Sequence, residues 1–334
     1  MLDHDLVLPG HGSGGELFNR LLKEIILPIF HDVQPADGAV LAARGGRLPV
    51  FTADSYVIKP LFFPGGDIGK IAVNGTVNDL AMMGAEPAYL SCGFIIEEGF
   101  KLSDFQRICI SMREAAREAG ISIVTGDTKV MGRGEADGIY IGASGIGFAA
   151  AEYGLSPDEV RPGDCLVING SIGDHGAAVL AARLGDPFRA GLLSDSAPLW
   201  MPVYALISAG IIPRVMRDIT GGGLAGIVKE LAAGQKVDYM IDEKSVQVDP
   251  GVTKACAIQG FDPYHMACGG RFIAVVEGKD AKRARDVLRG VKESAQAEVI
   301  GMVREGTGRA LLQTADGGMK DLDPPSGKMP PRIC

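Results

Sequence analysis

Strand-like and helix-like rhythms alternate along most of the chain. The segment "RLPVFTADSYVI" reads as a strand, "IGKIAVNGTVNDLAMMG" as a helix and "AYLSCGFIIE" as a strand again. In "SDFQRICISMREAAREAG", Phe105, Ile108, Cys109, Met112, Ala115, Ala116 and Ala119 recur at helical spacing, with Ser103 as the expected N-cap and Gly120 as the helix-ending glycine. Two more strands follow, "ISIVTGDTKV" and "GIYIGASGIGFAA", and then the turn-rich stretch "EYGLSPDEVRPGD". The pattern restarts beyond it with the strand "CLVING", a helix around "DHGAAVLAARLG" and a helix after "DITGGG". The helix "AKRARDVLRGVKE" lies between the strands "RFIAVVEG" and "AEVIGMVRE", and "RALLQTAD" is the last strand. Strands and helices mixed in this way predict two α/β or α+β domains, residues 1–154 and 155–320. From Asp321 onward "DLDPPSGKMPPRIC" carries four prolines in fourteen residues, which predicts an exposed, extended tail over 321–334. At about 3.1 Å per residue such a tail spans roughly 40 Å.

The length of 334 residues exceeds what one typical core supports, and 46% hydrophobic residues supply enough apolar surface for two. A net charge of −8 without a basic stripe argues against a nucleic-acid or membrane surface. No apolar run approaches the ~20 residues of a membrane span, and the acidic, glycine-broken N-terminus resembles no export signal, so a cytoplasmic location is expected. Cys92, Cys109, Cys165, Cys256, Cys268 and Cys334 form no metal-finger spacing. Five of these read as core residues, while Cys334 ends the proline-rich tail.

Several glycine clusters invite a phosphate. "GHGSGG" matches a dinucleotide fingerprint formally, but it lacks the preceding strand and crossover, so a glycine segment closing over phosphates is the better reading. "PGGDIGKIA" fails as a P-loop because Ile71 stands where a magnesium-holding hydroxyl belongs; a turn into a helix after Asp67 is expected. Gly221, Gly222 and Gly223 precede a helix, where they form either an anion-binding turn or a plain one. Asp54, Asp79 and Asp127 sit where strands or helices meet loops, and Asp79 follows Asn74 and Asn78 on an otherwise small and apolar helix. Hard oxygen ligands of this kind suit magnesium beside nucleotide phosphates, and Lys129 shares a strand face with Asp127.

These residues resemble the HypE family of hydrogenase maturation proteins, within the superfamily of aminoimidazole ribonucleotide synthetases and selenophosphate synthetases. "HGSGG", "TADSYVIKPLFFPGGDIGK", "NGTVNDLAMMGAEPAYLSCGFIIEEG", "IVTGDTKV", "GDHGAA" and the terminal "PRIC" occur in the family's order. The resemblance implies a two-domain fold, a homodimer formed through the N-terminal sheet, and ATP with Mg2+ in a cleft near that interface. It also implies that the terminal cysteine takes a carbamoyl group from HypF. ATP then drives dehydration of this S-carboxamide to an S-cyanide, which passes to the HypC–HypD complex. Carried onto this chain, the acceptor is Cys334, with Lys129 and Asp79 at the chemistry and Asp54, Asp79 and Asp127 as metal ligands. The implied nucleotide site comprises Gly12, Gly14, Gly15, Asp54, Asn74, Asn78, Asp79, Asp127, Gly222 and Gly223.

The chemistry is coherent on its own terms. An amide oxygen leaves badly as hydroxide, and phosphorylation turns it into a good leaving group. Two positions depart from the family pattern: Gly221 stands for an arginine and Gly269 for a glutamate. The general base therefore stays open among Lys129, His265 and phosphate itself. Two other readings stand beside the dehydratase: a small-molecule kinase or synthetase of the same superfamily, and a non-catalytic thiol carrier or scaffold.

Overall fold

The computed structural model describes residues 7–8, 15–30, 34, 36–43, 46–150, 154–185 and 191–322. The first part forms a five-stranded sheet from β1 (Ala39–Val40), β2 (Arg47–Tyr56), β5 (Glu86–Glu97), β6 (Ser122–Met131) and β7 (Ile139–Ala150). Their order is β1-β2-β7-β5-β6, and all pairs are antiparallel except β5 with β6. A short hairpin of β3 (Phe62–Phe63) and β4 (Gly66–Asp67) leads into helix α3 (Ile68–Met82). Asp67 caps that helix by accepting the Gly69 N–H at 2.8 Å and the Lys70 N–H at 3.1 Å, which realises the expected turn in "PGGDIGKIA". Helix α4 (Leu102–Ala119) lies beside α3 and ends on Gly120 in the left-handed region. It starts at Leu102 rather than after Ser103, because the Lys101 carbonyl accepts the N–H groups of Asp104 and Phe105. Upstream, α1 (Gly15–Leu21) runs through a π turn into α2 (Leu27–Ile29).

The second part is a seven-stranded sheet ordered β14-β13-β10-β12-β8-β11-β9. Its strands are β8 (Cys165–Ile168), β9 (Val215–Asp218), β10 (Val237–Asp242), β11 (Phe272–Val276), β12 (Glu298–Glu305), β13 (Ala310–Gln313) and β14 (Met319–Asp321). Its helices are α5 (Asp174–Leu184), α6 (Trp200–Ser208), α7 (Gly223–Ala232), α8 (Pro250–Gln259) and α9 (Ala281–Arg289). Alternate residues of the central strands feed two cores. Leu166, Ile168, Ile273 and Val275 pack with Leu224, Val228 and Leu231 of α7, while Val167, Phe272 and Ala274 pack with Leu206 of α6 and Leu288 of α9. The first two residues of the expected tail belong to this body: Asp321 lies in β14, and buried Leu322 donates its N–H to the Ala310 carbonyl. Among the described residues, no helix is long and apolar enough to cross a membrane.

Helix α3 joins the two sheets. Ile68, Ile71, Val73 and Val77 pack under the first sheet, and Ala81 and Met82 enter the core of the second. Asn78 is fully buried and bonded across this join: its side-chain oxygen accepts the Leu199 N–H at 2.8 Å. Its amide donates to the carbonyls of Ala197 at 3.2 Å and Gly269 at 3.3 Å. Asn78→Ala strands one buried donor and two buried acceptors, at a cost of about 2–3 kcal/mol. The expected result is a clear fall in melting temperature in calorimetry; a variant as stable as the parent would show that these bonds do not hold the join.

Candidate functional site

Four carboxylates converge where α3 meets the ends of the two sheets. Asp79 lies near the end of α3, Asp54 on β2, Asp218 at the end of β9, and Asp37 just ahead of β1. Oxygen atoms of Asp37, Asp79 and Asp218 all lie within 4.8 Å of one another. Asp54 stands close enough for its charge to act on all three. Thr52 Oγ1 lies 2.8 Å from both the Asp37 carbonyl and an Asp79 carboxylate oxygen, so its single proton serves one of them at a time. The Tyr56 hydroxyl donates to Asp54 at 3.0 Å.

Bringing like charges together out of water shifts their ionisation. Burial, reinforced by the neighbouring carboxylates, pushes Asp79 and Asp218 well above the usual carboxylate range. Burial also carries Asp37 up to about 6, against the opposing pull of Arg217. Asp54 rises through desolvation of its carboxylate end, tempered by the Tyr56 bond, although the residue as a whole keeps solvent access. Arg217, on β9, ion-pairs with Asp37 and with Glu230 of α7. One Asp37 oxygen, Oδ2, is buried without any hydrogen-bond partner. An all-oxygen donor set with an orphaned buried oxygen fits a hard divalent cation such as Mg2+.

The other expected residues are distributed around this cluster. Asn74 and Asn78 face the second sheet from α3; Asn74 donates to Ser196 Oγ at 3.1 Å, and its own oxygen is buried without a partner. Asp127 and Lys129 do not join the cluster. They pair with each other at 2.7 Å on β6, the edge strand, whose residues are all exposed. The expectation that Lys129 shares a face with Asp127 matches that geometry. Gly222 and Gly223 open α7, but the Gly223 N–H already donates to the Thr220 carbonyl. Gly223 has φ +65°, and a Cβ there would meet the Tyr264 carbonyl oxygen at 2.6 Å, so this turn also serves packing. Gly15 begins α1, whereas Gly12, Gly14 and Cys334 lie outside the described residues.

The departure at Gly269 has a local counterpart. A Cβ at that position would lie 3.0 Å from Ser196 Cα, so the 194–197 segment occupies the room a side chain there would need. Asp195 sits on the same segment and accepts the Gly269 N–H at 2.9 Å. Of the thiols read as core residues, Cys92, Cys256 and Cys268 are buried, while Cys109 and Cys165 are only half-buried. Asp37 and Asp218 escaped the sequence reading as ligands. Asp218 opens the noted "DITGGG", whereas "QPADGAV" around Asp37 carries no signal beyond one acidic residue among turn formers.

Comparison with known proteins agrees with this architecture. The model of the AIR synthase related protein N-terminal domain matches residues 35–149, and that of the C-terminal domain matches residues 161–312. Carbamoyl dehydratase HypE of Rhizobium leguminosarum bv. viciae is 44% identical over 97% of this chain and 94% of its own length. A HypE chain from a HypE–HypF complex superposes with a TM-score of 0.84 at 40% identity, covering 91% of this chain and 99% of that one. HypE crystallised with ATP superposes with a TM-score of 0.82 at 40% identity, covering 98% of this chain and 100% of that one. The chain belongs to the AIR synthase related proteins and, among them, to the carbamoyl dehydratase HypE family.

Proposed function

We propose that this chain is an ATP-dependent carbamoyl dehydratase of hydrogenase maturation and that its substrate is the S-carboxamide on its own Cys334. The observation that carries the reading is the carboxylate cluster converging at the join of the two sheets, in a chain of this family. In the reaction, the carboxamide oxygen takes the terminal phosphoryl group of ATP, releasing ADP. Loss of that oxygen as phosphate, together with both nitrogen protons, leaves the thiocyanate S–C≡N. The relative bound to ATP supports nucleotide use. Asp37, Asp79 and Asp218 are the residues that would hold Mg2+, which when bound would offset the charge on the transferring phosphoryl group.

The residues of the chain supply placement. Asp54 and Tyr56 form the wall of the cluster on β2, and Thr52 holds Asp79 against it. Lys129 and Asp127 are assigned to the tail and nucleotide side, where they form an ion pair on an exposed strand that solvent and ligand can reach. The proline-rich stretch ahead of Cys334 limits the ordering cost of bringing the carboxamide to the site.

Partners follow the same reading. HypF supplies the carbamoyl group, in line with the relative crystallised with HypF, and the HypC–HypD complex accepts cyanide. A homodimer is assigned to the outer face of the first sheet, where Phe51, Ile146 and Tyr89 stand in cross-strand register and are all exposed. We place the protein in the cytoplasm.

Intact-mass analysis after incubation with HypF, carbamoyl phosphate and ATP tests the central step. The chain is expected to gain one carbamoyl group and then lose the mass of one water, and a Cys334→Ala variant should do neither; a carbamoyl adduct that never loses water would overturn the dehydratase reading. Metal binding carries a pH signature. Because the folded protein holds Asp37 up to about 6 and burial also pushes Asp79 and Asp218 well above the usual carboxylate range, protons compete with the cation. Mg2+ affinity in calorimetry should rise from pH 5.5 to 7.5 with release of protons to buffer. Affinity that is flat with pH would place the ion on carboxylates that are already ionised.

A further inference from the structure

Arg217 stands in the one place where it touches both the cluster and the second domain's helix. Its side chain is 14% exposed and bridges Asp37, also 14% exposed, to Glu230 on α7. Asp37 therefore divides its carboxylate: Oδ1 is held by the guanidinium, while Oδ2 has no partner. Asp218 follows Arg217 directly on β9, so backbone alternation sends the two side chains to opposite faces of the strand and leaves the guanidinium beside the cluster rather than within it. Other described cations stand elsewhere in the fold. Lys129 is engaged with Asp127 on the far edge strand, and Lys70 donates to the Gly65 carbonyl.

We infer that Arg217 is the resident counter-cation of the metal-free site and that a divalent ion competes with it for Asp37, with Glu230 retaining the guanidinium once Asp37 turns to the metal. The physical reason is charge balance. Carboxylates packed out of water either take up protons or gain a cation, and a guanidinium fixed by a second carboxylate supplies a cation without filling the space between them. When the ion arrives, Arg217 keeps a partner, so loading does not leave a charge unpaired. Arg217 is thus a positioning residue acting through Asp37. It sets how tightly the ion is held and prevents the empty site from forcing the two sheets apart.

The inference rests on the metal reading, and the test separates the two. Melting temperatures of the full-length parent, Arg217→Gln and Arg217→Lys are measured with and without Mg2+, alongside Mg2+ affinity by calorimetry. Arg217→Gln is expected to melt several degrees lower without metal, to recover most of that loss in saturating Mg2+, and to bind Mg2+ at least threefold more tightly than the parent. Arg217→Lys keeps the charge, and should restore much of the metal-free stability and move affinity back toward the parent. If Arg217→Gln does not fold, Arg217→Lys decides the matter, since a lysine competes less well for Asp37 and that variant should still bind Mg2+ more tightly than the parent. A loss of stability equal with and without Mg2+, or weaker Mg2+ binding in the variants, would make Arg217 a structural ion pair and overturn the inference. A parent that binds no Mg2+ would instead remove the metal reading itself.

Discussion

Helix α3 is packed on nearly every side, and a helix in that position admits a polar side chain only where something across the interface completes its hydrogen bonds. Asn78 meets that condition fully, through Leu199, Ala197 and Gly269. Asn74 meets it on one side only, and Asp79 depends on a threonine shared with the Asp37 carbonyl. The satisfied asparagine fixes how the second sheet sits against the first. The less satisfied groups are then held facing the join, where a ligand can complete them.

The same packing explains why the carboxylates are costly. Asp37, Asp79 and Asp218 come from three separated parts of the chain, and only closure of α3 against β9 and the β1 approach brings them together. Their suppressed ionisation is the energetic trace of that closure. A structure selected for stability alone would avoid it, whereas a cation-binding structure recovers the cost on binding. Arg217 and Glu230 carry this balance into α7, so the electrostatics of the site and the contact between the two sheets are one problem.

Much of this was legible in the sequence because local patterning and tertiary structure agree. The strands of the first sheet, α3 with its Asp67 cap, and the Gly120 terminus lie where periodicity and capping chemistry put them. The helix at Trp200–Ser208 and the strand at Val237–Asp242 were less visible, since short, wholly apolar or wholly buried runs lack a distinguishing period. The site was legible in part for the same reason. Asp79 is conspicuous on an apolar helix, but nothing local tells that Asp37 and Asp218 will face it, because their meeting is a property of topology. Asp127 was expected beside Asp79 as a ligand, yet it lies on an edge strand with Lys129 for company. The family motifs named its role; in one copy of the chain, geometry leaves it outside the cluster.

The altered glycines read differently once placed. Gly269 is filled against by the 194–197 segment, and Asp195 secures the backbone there, so that departure is built into the local packing. Gly221 stands in the turn just ahead of α7, whose first residue Gly223 packs against the Tyr264 carbonyl. Catalysis as proposed depends on a cation bound between the two sheets, and the most direct measurement is anomalous diffraction from crystals of the full-length protein soaked with Mn2+ and a non-hydrolysable ATP analogue. An anomalous peak among Asp37, Asp79 and Asp218 is the expected result. A peak confined to Asp127, with none at the cluster, would contradict it.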